Sequence, residues 1–190
     1  SARLLVGLAD GQAVESVLLP RNGLCVSSQV GCAVGCVFCM TGKEGLLRQL
    51  GSAEIVAQVA LARTRRKVSK VVFMGMGEPS HNLDNVLEAM DLLGTVGNIG
   101  HKSLVFSTVG DPRAFDRLQS LEMGQVRPAL AVSLHTTKAD LRAQLLPRAP
   151  RMTPEELVER AQLYARTTDY PIQYQWTLIE GVNDNEEEIE

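Results

Sequence analysis

The sequence of 190 residues contains no long hydrophobic segment. No apolar stretch approaches the roughly 18 residues that a membrane-spanning helix needs. The first seven residues, Ser1 to Gly7, also lack the apolar region of a signal peptide. We therefore expect no membrane association and a cytoplasmic, reducing location, in a chain long enough to bury a proper core.

A large excess of charge of one sign is also absent. The net charge is −3, from 19 basic and 22 acidic residues, which argues against a general nucleic-acid-binding surface. Five of the acids lie in the last seven residues (Asp184, Glu186, Glu187, Glu188 and Glu190), and a basic run precedes a predicted strand (Arg63, Arg65, Arg66, Lys67 and Lys70). Such runs are solvated surface more often than phosphate contacts, so charge alone does not identify a partner.

Cysteine is scarce, with four residues, and a chain of this length with no secretory segment is not a disulfide framework. Three of the four, Cys32, Cys36 and Cys39, form a C-x3-C-x2-C motif. Three thiolates at this spacing can hold three corners of a cubane [4Fe–4S] cluster and leave the fourth iron open to a small molecule.

Two closed-site alternatives remain for this motif. A structural zinc site normally needs four protein ligands, often in two C-x2-C pairs, and the sequence has no second pair. Cys25, seven residues upstream, could supply a fourth thiolate to zinc or to an all-cysteine iron–sulfur cluster.

The order of predicted elements alternates strands with helices and indicates an α/β fold. Residues 3–8 and 13–19 flank an Asp-Gly turn and predict a β-hairpin. Further strands are predicted at about 24–30, 71–74, 104–107, 129–134 and 172–179. Helices are predicted over 53–65 with Ser52 as N-cap, from Leu83, from Asp111 through Leu121, and from the capping box at Thr153 to Arg166. Repeated β–α units predict a parallel sheet with right-handed crossovers.

The last predicted strand has a polar face formed by Gln173, Gln175 and Thr177. This face fits either an open, partial barrel with a substrate-filled lumen or an edge strand facing water. After it, 181–184 resembles a strand-to-helix turn and 186–190 the first turn of another helix. We therefore expect the chain to be a piece of a longer protein.

Polar residues follow three of the predicted strands. Gly75-Met76-Gly77-Glu78-Pro79 follows one, Ser107-Thr108 the next, and Ser133-Leu134-His135 the one after. In parallel α/β folds, functional residues collect at the carboxyl ends of the strands. We expect these three segments to face the same opening as the cysteine loop.

These motifs together resemble the radical S-adenosylmethionine (SAM) superfamily, and within it the RlmN/Cfr family of RNA adenine methyltransferases. The resemblance is carried by the cysteine motif, by Cys25-Val26-Ser27-Ser28-Gln29, by Glu54-Ile55-Val56-Ala57-Gln58, by the Gly-Glu-Pro turn and by Ser133-Leu134-His135, and it spans about Val14 to Asp184. It implies a partial (β/α) barrel of the radical SAM type, with a hairpin extension over 1–23 and a core over 24–190 that is truncated at its carboxyl end.

The resemblance also implies the cofactors and their ligands. Cys32, Cys36 and Cys39 would bind the [4Fe–4S] cluster, and SAM would chelate the open iron and be cleaved by one electron to a 5′-deoxyadenosyl radical. The expected SAM contacts are Phe38, Gly77, Glu78, Ser107, Ser133, Leu134 and His135. Taken singly, without the resemblance, each of these would more often be structural.

Two further residues receive catalytic roles from the resemblance. Glu15 matches the acidic proton acceptor of the family, and Cys25 matches a thiol outside the cluster that resolves a protein–RNA adduct through a disulfide. The family also uses a methyl-carrying cysteine near its carboxyl end, but no cysteine follows Cys39. Gln49 and Met40-Thr41-Gly42 depart from the family pattern and leave the subfamily open.

The predicted function is a radical SAM methyltransferase acting on carbon 2 of adenine in ribosomal RNA and in some cases transfer RNA, with the carrier cysteine outside this chain. Alternatives are a radical SAM enzyme acting on carbon 8 or on a substrate other than RNA, and a closed iron–sulfur or zinc protein. Expected partners are RNA and a small reductant protein such as flavodoxin or ferredoxin, with the enzyme acting as a monomer.

Overall fold

A seven-stranded sheet organises residues 1–189, the part of the chain that the computed structural model describes. The strands are β1 (Ala2–Gly7), β2 (Ala13–Leu19), β3 (Gly23–Cys25), β4 (Gln29–Gly31), β5 (Leu46–Gln49), β6 (Lys70–Phe73), β7 (Leu104–Thr108), β8 (Ala129–Ser133) and β9 (Gln173–Gln175). The large sheet has the order β1-β2-β3-β6-β7-β8-β9, and β4 pairs with β5 separately. The hairpin pairs antiparallel with β3, and every pairing from β3 to β9 is parallel.

Within residues 1–189, five α-helices connect the strands: α1 (Ser52–Arg63), α2 (Leu83–Gly94), α3 (Pro112–Gln119), α4 (Ala139–Leu145) and α5 (Pro154–Thr168). The capping box at Thr153 is confirmed, and the side chain of Asp111 caps α3 as expected. The predicted N-cap of α1 was wrong. Gly51 occupies that position, because its N–H donates to the Glu54 carboxylate at 3.1 Å while Ser52 is already helical. None of the helices in residues 1–189 has both the length and the apolar character needed to cross a bilayer.

Two predicted strands are shorter than expected for identifiable reasons. The extended segment 24–30 divides into β3 and β4. The division occurs because the N–H groups of Ser28 and Gln29 both donate to the carbonyl of Met76 instead of to a neighbouring strand. The segment 172–179 forms only the short strand β9. Beyond it, the N–H groups of Thr177 and Ile179 donate to side chains, His135 and Asn183, instead of a neighbouring strand.

The chain also holds elements that the pattern analysis did not predict, one in each half. The strand β5 and the short helix α4 are both absent from the sequence predictions. α3 ends at Gln119, before Leu121. The predicted turn over 186–190 is a single 3-10 turn at Glu186–Glu188, and Glu190 lies outside the described residues.

The two faces of the sheet differ in what covers them. One face packs against the helices through a large apolar cluster that includes Leu24, Phe73 and Phe106 from the strands. The other face carries a smaller cluster of strand side chains, Cys25, Val72, Val105, Ala129 and Ala131. Successive side chains of a strand point to opposite faces, so the second cluster lines the side without helices. The α/β fold with a parallel sheet and an amino-terminal hairpin is as predicted.

A buried glutamine on α1 holds the hairpin to the rest of the sheet. Gln58 Oε1 accepts hydrogen bonds from Ser16 Oγ at 2.7 Å and from the Ser27 N–H at 2.9 Å. Its Nε2 donates to the Ser27 carbonyl at 2.8 Å. All three residues are fully buried, so these groups have no water to replace a lost partner.

We predict that Gln58→Leu lowers the free energy of unfolding by about 3 kcal/mol, because it leaves three buried polar groups unpaired. Gln119→Leu is the matched control, since Gln119 also lies on a helix but makes one exposed hydrogen bond, to Thr167. That change should stay within about 0.5 kcal/mol. Denaturant titration followed by circular dichroism measures both, and equal losses would contradict this role of Gln58.

Candidate active site

A cavity of about 390 Å³ opens at the carboxyl ends of β6, β7, β8 and β9. Nine of the twelve residues predicted for the site line it: Cys32, Cys36, Phe38, Cys39, Gly77, Glu78, Ser107, Ser133 and His135. The parallel register explains this convergence, because it aligns the ends of neighbouring strands at one edge of the sheet. The expectation that the cysteine loop and the three strand-end segments share one opening is confirmed.

The cysteine loop is held by its backbone rather than by regular structure. The Cys32 N–H donates to the Gly45 carbonyl, and the Cys39 N–H to the Cys36 carbonyl, both at 3.0 Å. Gly31, which leads into the loop, has a φ of +80°, and a Cβ there would lie 2.0 Å from the Gly45 oxygen. Only glycine fits this position, so Gly31 fixes how the chain enters the loop.

The three thiols of the loop share one partly buried environment. Burial, followed by the proximity of Cys32 and Cys39, raises the pKa of Cys36 to about 12. The pKa of Cys32 is also raised, chiefly by burial and in lesser part by Glu78 and Cys39. Three thiolates are therefore unfavourable together unless a cationic centre compensates them, as metal binding does.

Glu78 is a carboxylate held beneath the cavity with 4% exposure. Its Oε1 accepts hydrogen bonds from Thr108 Oγ1 at 2.7 Å and from the Val109 N–H at 2.6 Å. Burial nevertheless dominates and raises its pKa to about 7. The adjoining Gly77 has a φ of +104°, and a Cβ there would lie 2.6 Å from the Gln29 side chain. The turn can adopt this path only with glycine.

His135 is held in one tautomer. The Thr177 N–H donates to His135 Nδ1 at 2.9 Å, so the proton of the neutral ring is on Nε2. Burial lowers the pKa of His135 to about 4, which keeps the ring neutral near pH 7. Its centroid lies 4.7 Å from that of Phe38, and Asn183 Nδ2 donates to its carbonyl at 2.6 Å. These contacts hold the residue at a φ of 64°, a conformation that few side chains adopt.

Three predicted site residues do not line the cavity. The Leu134 side chain packs in the large apolar cluster, although its N–H donates to the Gln175 carbonyl at 3.0 Å. Cys25 is buried on the face without helices, and burial raises the pKa of its thiol to about 11. Glu15 is half-exposed, 3.5 Å from Arg3, and lies two residues from Val17, the partner of Cys25 in the sheet.

Sequence reasoning gave no individual role to four polar residues that hold the site together: Thr108, Arg142, Gln175 and Asn183. Arg142 is 3% exposed and donates to the carbonyls of Leu134, Val109 and Ser133. It therefore joins the loops that follow β7 and β8. In the sequence, Arg142 is marked only as an arginine within a short polar segment. Gln175 could be recognised more easily, because it belongs to the polar face of the last predicted strand. Of the two interpretations of that face, the cavity wall is the one observed for Gln175 and Thr177.

The closed-site alternatives depend on a fourth ligand near the cysteine loop. Among residues 1–189, no three cysteine, histidine or acidic side chains converge on a point where one ion could bind. Cys25, the candidate fourth ligand, packs in a different apolar cluster from Cys32 and Cys36.

Comparison with known proteins identifies the family. Residues 26–190 match the Radical SAM superfamily. The chain belongs to this superfamily. Radical SAM membership brings two cofactors, a [4Fe–4S] cluster and SAM, as the resemblance implied.

Individual relatives agree with this assignment. Over its whole length the chain is 78% identical to a "Probable RNA methyltransferase" of Leptothrix cholodnii and 73% identical to one of Pseudomonas aeruginosa. It covers 54% of each, so it spans about half the length of these curated relatives.

Solved structures show the same fold. A radical SAM methyltransferase from Sphaerobacter thermophilus is 37% identical, with a TM-score of 0.88 over 98% of this chain and 57% of that one. The methyltransferase TsrM from Kitasatospora setae is 13% identical, with a TM-score of 0.52 over 80% of this chain and 29% of that one, and shares the fold alone.

The donor set of the cavity fits the cofactors of the superfamily. Cys32 and Cys39 lie close enough to Cys36 to raise the pKa of its thiol, and this proximity suits ligands that bind iron as thiolates. The fourth thiol lies apart, so three protein ligands are available rather than four. Glu78 in the same cavity offers a carboxylate that an ammonium group would complement.

Glu78 gives the site a pH-dependent cost in stability. Its pKa is about 7 in the folded state and 4.5 in the unfolded state, so the unfolded state loses its proton first as the pH rises. The folded state is therefore stabilised by the protonated Glu78 side chain below pH 4.5, and this stabilisation is lost as the pH rises from 4.5 to 7.

We predict that the free energy of unfolding of the cofactor-free wild-type protein falls between pH 5 and pH 8. This fall should be about 2 to 3 kcal/mol larger than the fall in the Glu78→Gln variant, which has no carboxyl group to titrate. Denaturant titrations at the two pH values measure this difference. A parallel decline in both proteins would show that Glu78 does not titrate in this range.

Proposed function

We propose that this chain contains the radical SAM core of an RNA methyltransferase that modifies carbon 2 of adenine. The main observation that supports this proposal is that the three-cysteine loop and the buried Glu78 line one cavity, while Cys25 lies outside it. Two near relatives bear the name RNA methyltransferase, and the sequence motifs resemble the RlmN/Cfr family. In this proposal, residues 1–23 form a hairpin extension and 24–190 the core.

The proposed roles follow the positions of the side chains. Cys32, Cys36 and Cys39 would hold the cluster, and Glu78 would hold the amino end of SAM. Phe38, Gly77, Ser107, Ser133 and His135 would form the rest of the SAM site, and Leu134 would contribute its backbone. When bound, the cluster and SAM supply a carbon-centred radical generated by one electron from a small reductant protein such as flavodoxin or ferredoxin.

Each of these residues acts by binding or orienting a ligand. His135 stays neutral near pH 7, so it can donate from Nε2 without adding a positive charge beside a sulfonium ligand. Arg142 fixes the loops after β7 and β8, and the resulting rigidity preserves the shape of the cavity between them.

Cys25 and Glu15 are proposed to act on the RNA. They share the sheet face without helices, which continues to the wall of the SAM cavity through Met74. Glu15 would accept the proton of the modified carbon. The raised pKa of Cys25 keeps it a thiol at neutral pH, so it would need a nearby base before reacting as a thiolate. The methyl-carrying cysteine would come from outside these residues.

We predict that the Cys32→Ala variant, after anaerobic reconstitution of the cluster, binds fewer than the full complement of about four irons per chain. It should also fail to cleave SAM reductively. Cys25→Ala should keep both properties, because Cys25 lies apart from the loop. Iron analysis and detection of 5′-deoxyadenosine measure the two outcomes. Loss of metal from the Cys25 variant would instead support a closed site.

We also predict that RNA from cells lacking the gene loses 2-methyladenosine at one or a few positions. Complementation with the wild-type gene should restore it, and complementation with the Cys32→Ala gene should not. Mass spectrometry of digested ribosomal and transfer RNA provides the measurement. Loss of 8-methyladenosine would favour the carbon 8 alternative, and unchanged RNA would favour a substrate of another class.

A further inference from the structure

The Gln175 side chain contacts the carboxyl ends of three parallel strands. Its Oε1 lies 2.9 Å from Ser107 Oγ, at the end of β7, and 3.3 Å from Ser133 Oγ, at the end of β8. Its Nε2 lies 3.0 Å from the sulfur of Met74, the residue after β6. All four residues line the cavity.

These contacts settle which way the amide and the hydroxyl groups point. A thioether sulfur accepts hydrogen bonds but cannot donate them, so the amide N–H₂ faces Met74 and the amide oxygen faces the serines. Each serine hydroxyl has a single proton, and both protons are donated to Gln175 Oε1. Toward the cavity, Ser107 and Ser133 therefore present only lone pairs.

We propose that Gln175 is a positioning residue that makes Ser107 and Ser133 a pair of acceptors for the two ribose hydroxyls of SAM. This inference rests on the proposed function. SAM carries donors at its ammonium group, its ribose and its adenine amino group. The buried carboxylate of Glu78 complements the ammonium. Two acceptors that share one amide oxygen match the adjacent hydroxyls of a ribose better than a single amino group.

The test measures binding rather than turnover. SAM and its 2′,3′-dideoxy analogue are titrated calorimetrically into the full-length protein with the reconstituted, oxidised cluster. Gln175→Leu removes the amide, so the serine hydroxyls are free to rotate. We expect SAM to bind about 10-fold more weakly, the equivalent of about one lost hydrogen bond, and the dideoxy analogue to bind as it does to wild type.

Three further variants separate positioning from a general loss of structure. Gln175→Glu keeps an oxygen that accepts from the serines, but its second oxygen faces the Met74 sulfur, which cannot donate. It should bind SAM more weakly than wild type and more tightly than Gln175→Leu does. Gln173→Leu changes an exposed glutamine of the same strand and should leave SAM affinity unchanged. In a Ser107→Ala background, the effect of Gln175→Leu should fall below about 3-fold, because one of the two positioned groups is already absent.

Two results would overturn the inference while leaving the proposed function intact. One is equal SAM affinity in the wild-type and Gln175→Leu proteins. The other is an equal weakening of SAM and the dideoxy analogue, which would indicate a structural effect or recognition through the adenine amino group. A wild-type protein that carries the cluster and binds neither ligand would instead overturn the proposed function, and this inference with it.

Discussion

The parallel pairing of β6, β7, β8 and β9 is the constraint on which the rest of the site depends. Three neighbouring pairs are in register, Phe73 with Phe106, Ser107 with Ala131, and Ser133 with Gln175. Segments far apart in sequence therefore end at the same edge of the sheet. A shift of one residue would turn the side chains of Ser107 and Ser133 away from the cavity. The chemistry of the site and the register of the sheet are thus specified together.

The cavity brings together acidic groups whose charged forms are unfavourable in the absence of a bound ligand. Burial raises the pKa of Glu78, and burial together with the neighbouring thiols raises that of Cys36. A cationic ligand would lower both costs at once, since it stabilises thiolates and carboxylate alike. Arg142, the buried cation nearby, is largely occupied by backbone carbonyls. Functional sites commonly carry such a cost in stability, which ligand binding then offsets.

The sequence could predict the parts of the site that are contiguous in the chain. The cysteine loop, the Gly77-Glu78 turn and Ser133 to His135 each carry their signal within a few residues, and the alternation of strands and helices placed them at one edge. The roles of Gln175, Asn183 and Arg142 depend on side-chain contacts spanning 68, 48 and 33 residues, which no local pattern encodes. The end of β9 was missed for the same reason, because side chains of His135 and Asn183 replace a neighbouring strand.

The hairpin extends the sheet on the side opposite β9 and thereby enlarges the face without helices. Val17 pairs with Cys25, and alternation along β2 places Glu15 on that same face. Gln58 anchors this arrangement from the helix-covered side through Ser16 and Ser27. The same Ser27 hydroxyl donates to the carbonyl of Glu15 at 2.6 Å and accepts from the N–H of Met76, beside Gly77. One hydrogen-bond network therefore joins the backbone of the hairpin acid to the turn that carries Glu78, and so links the two proposed binding regions.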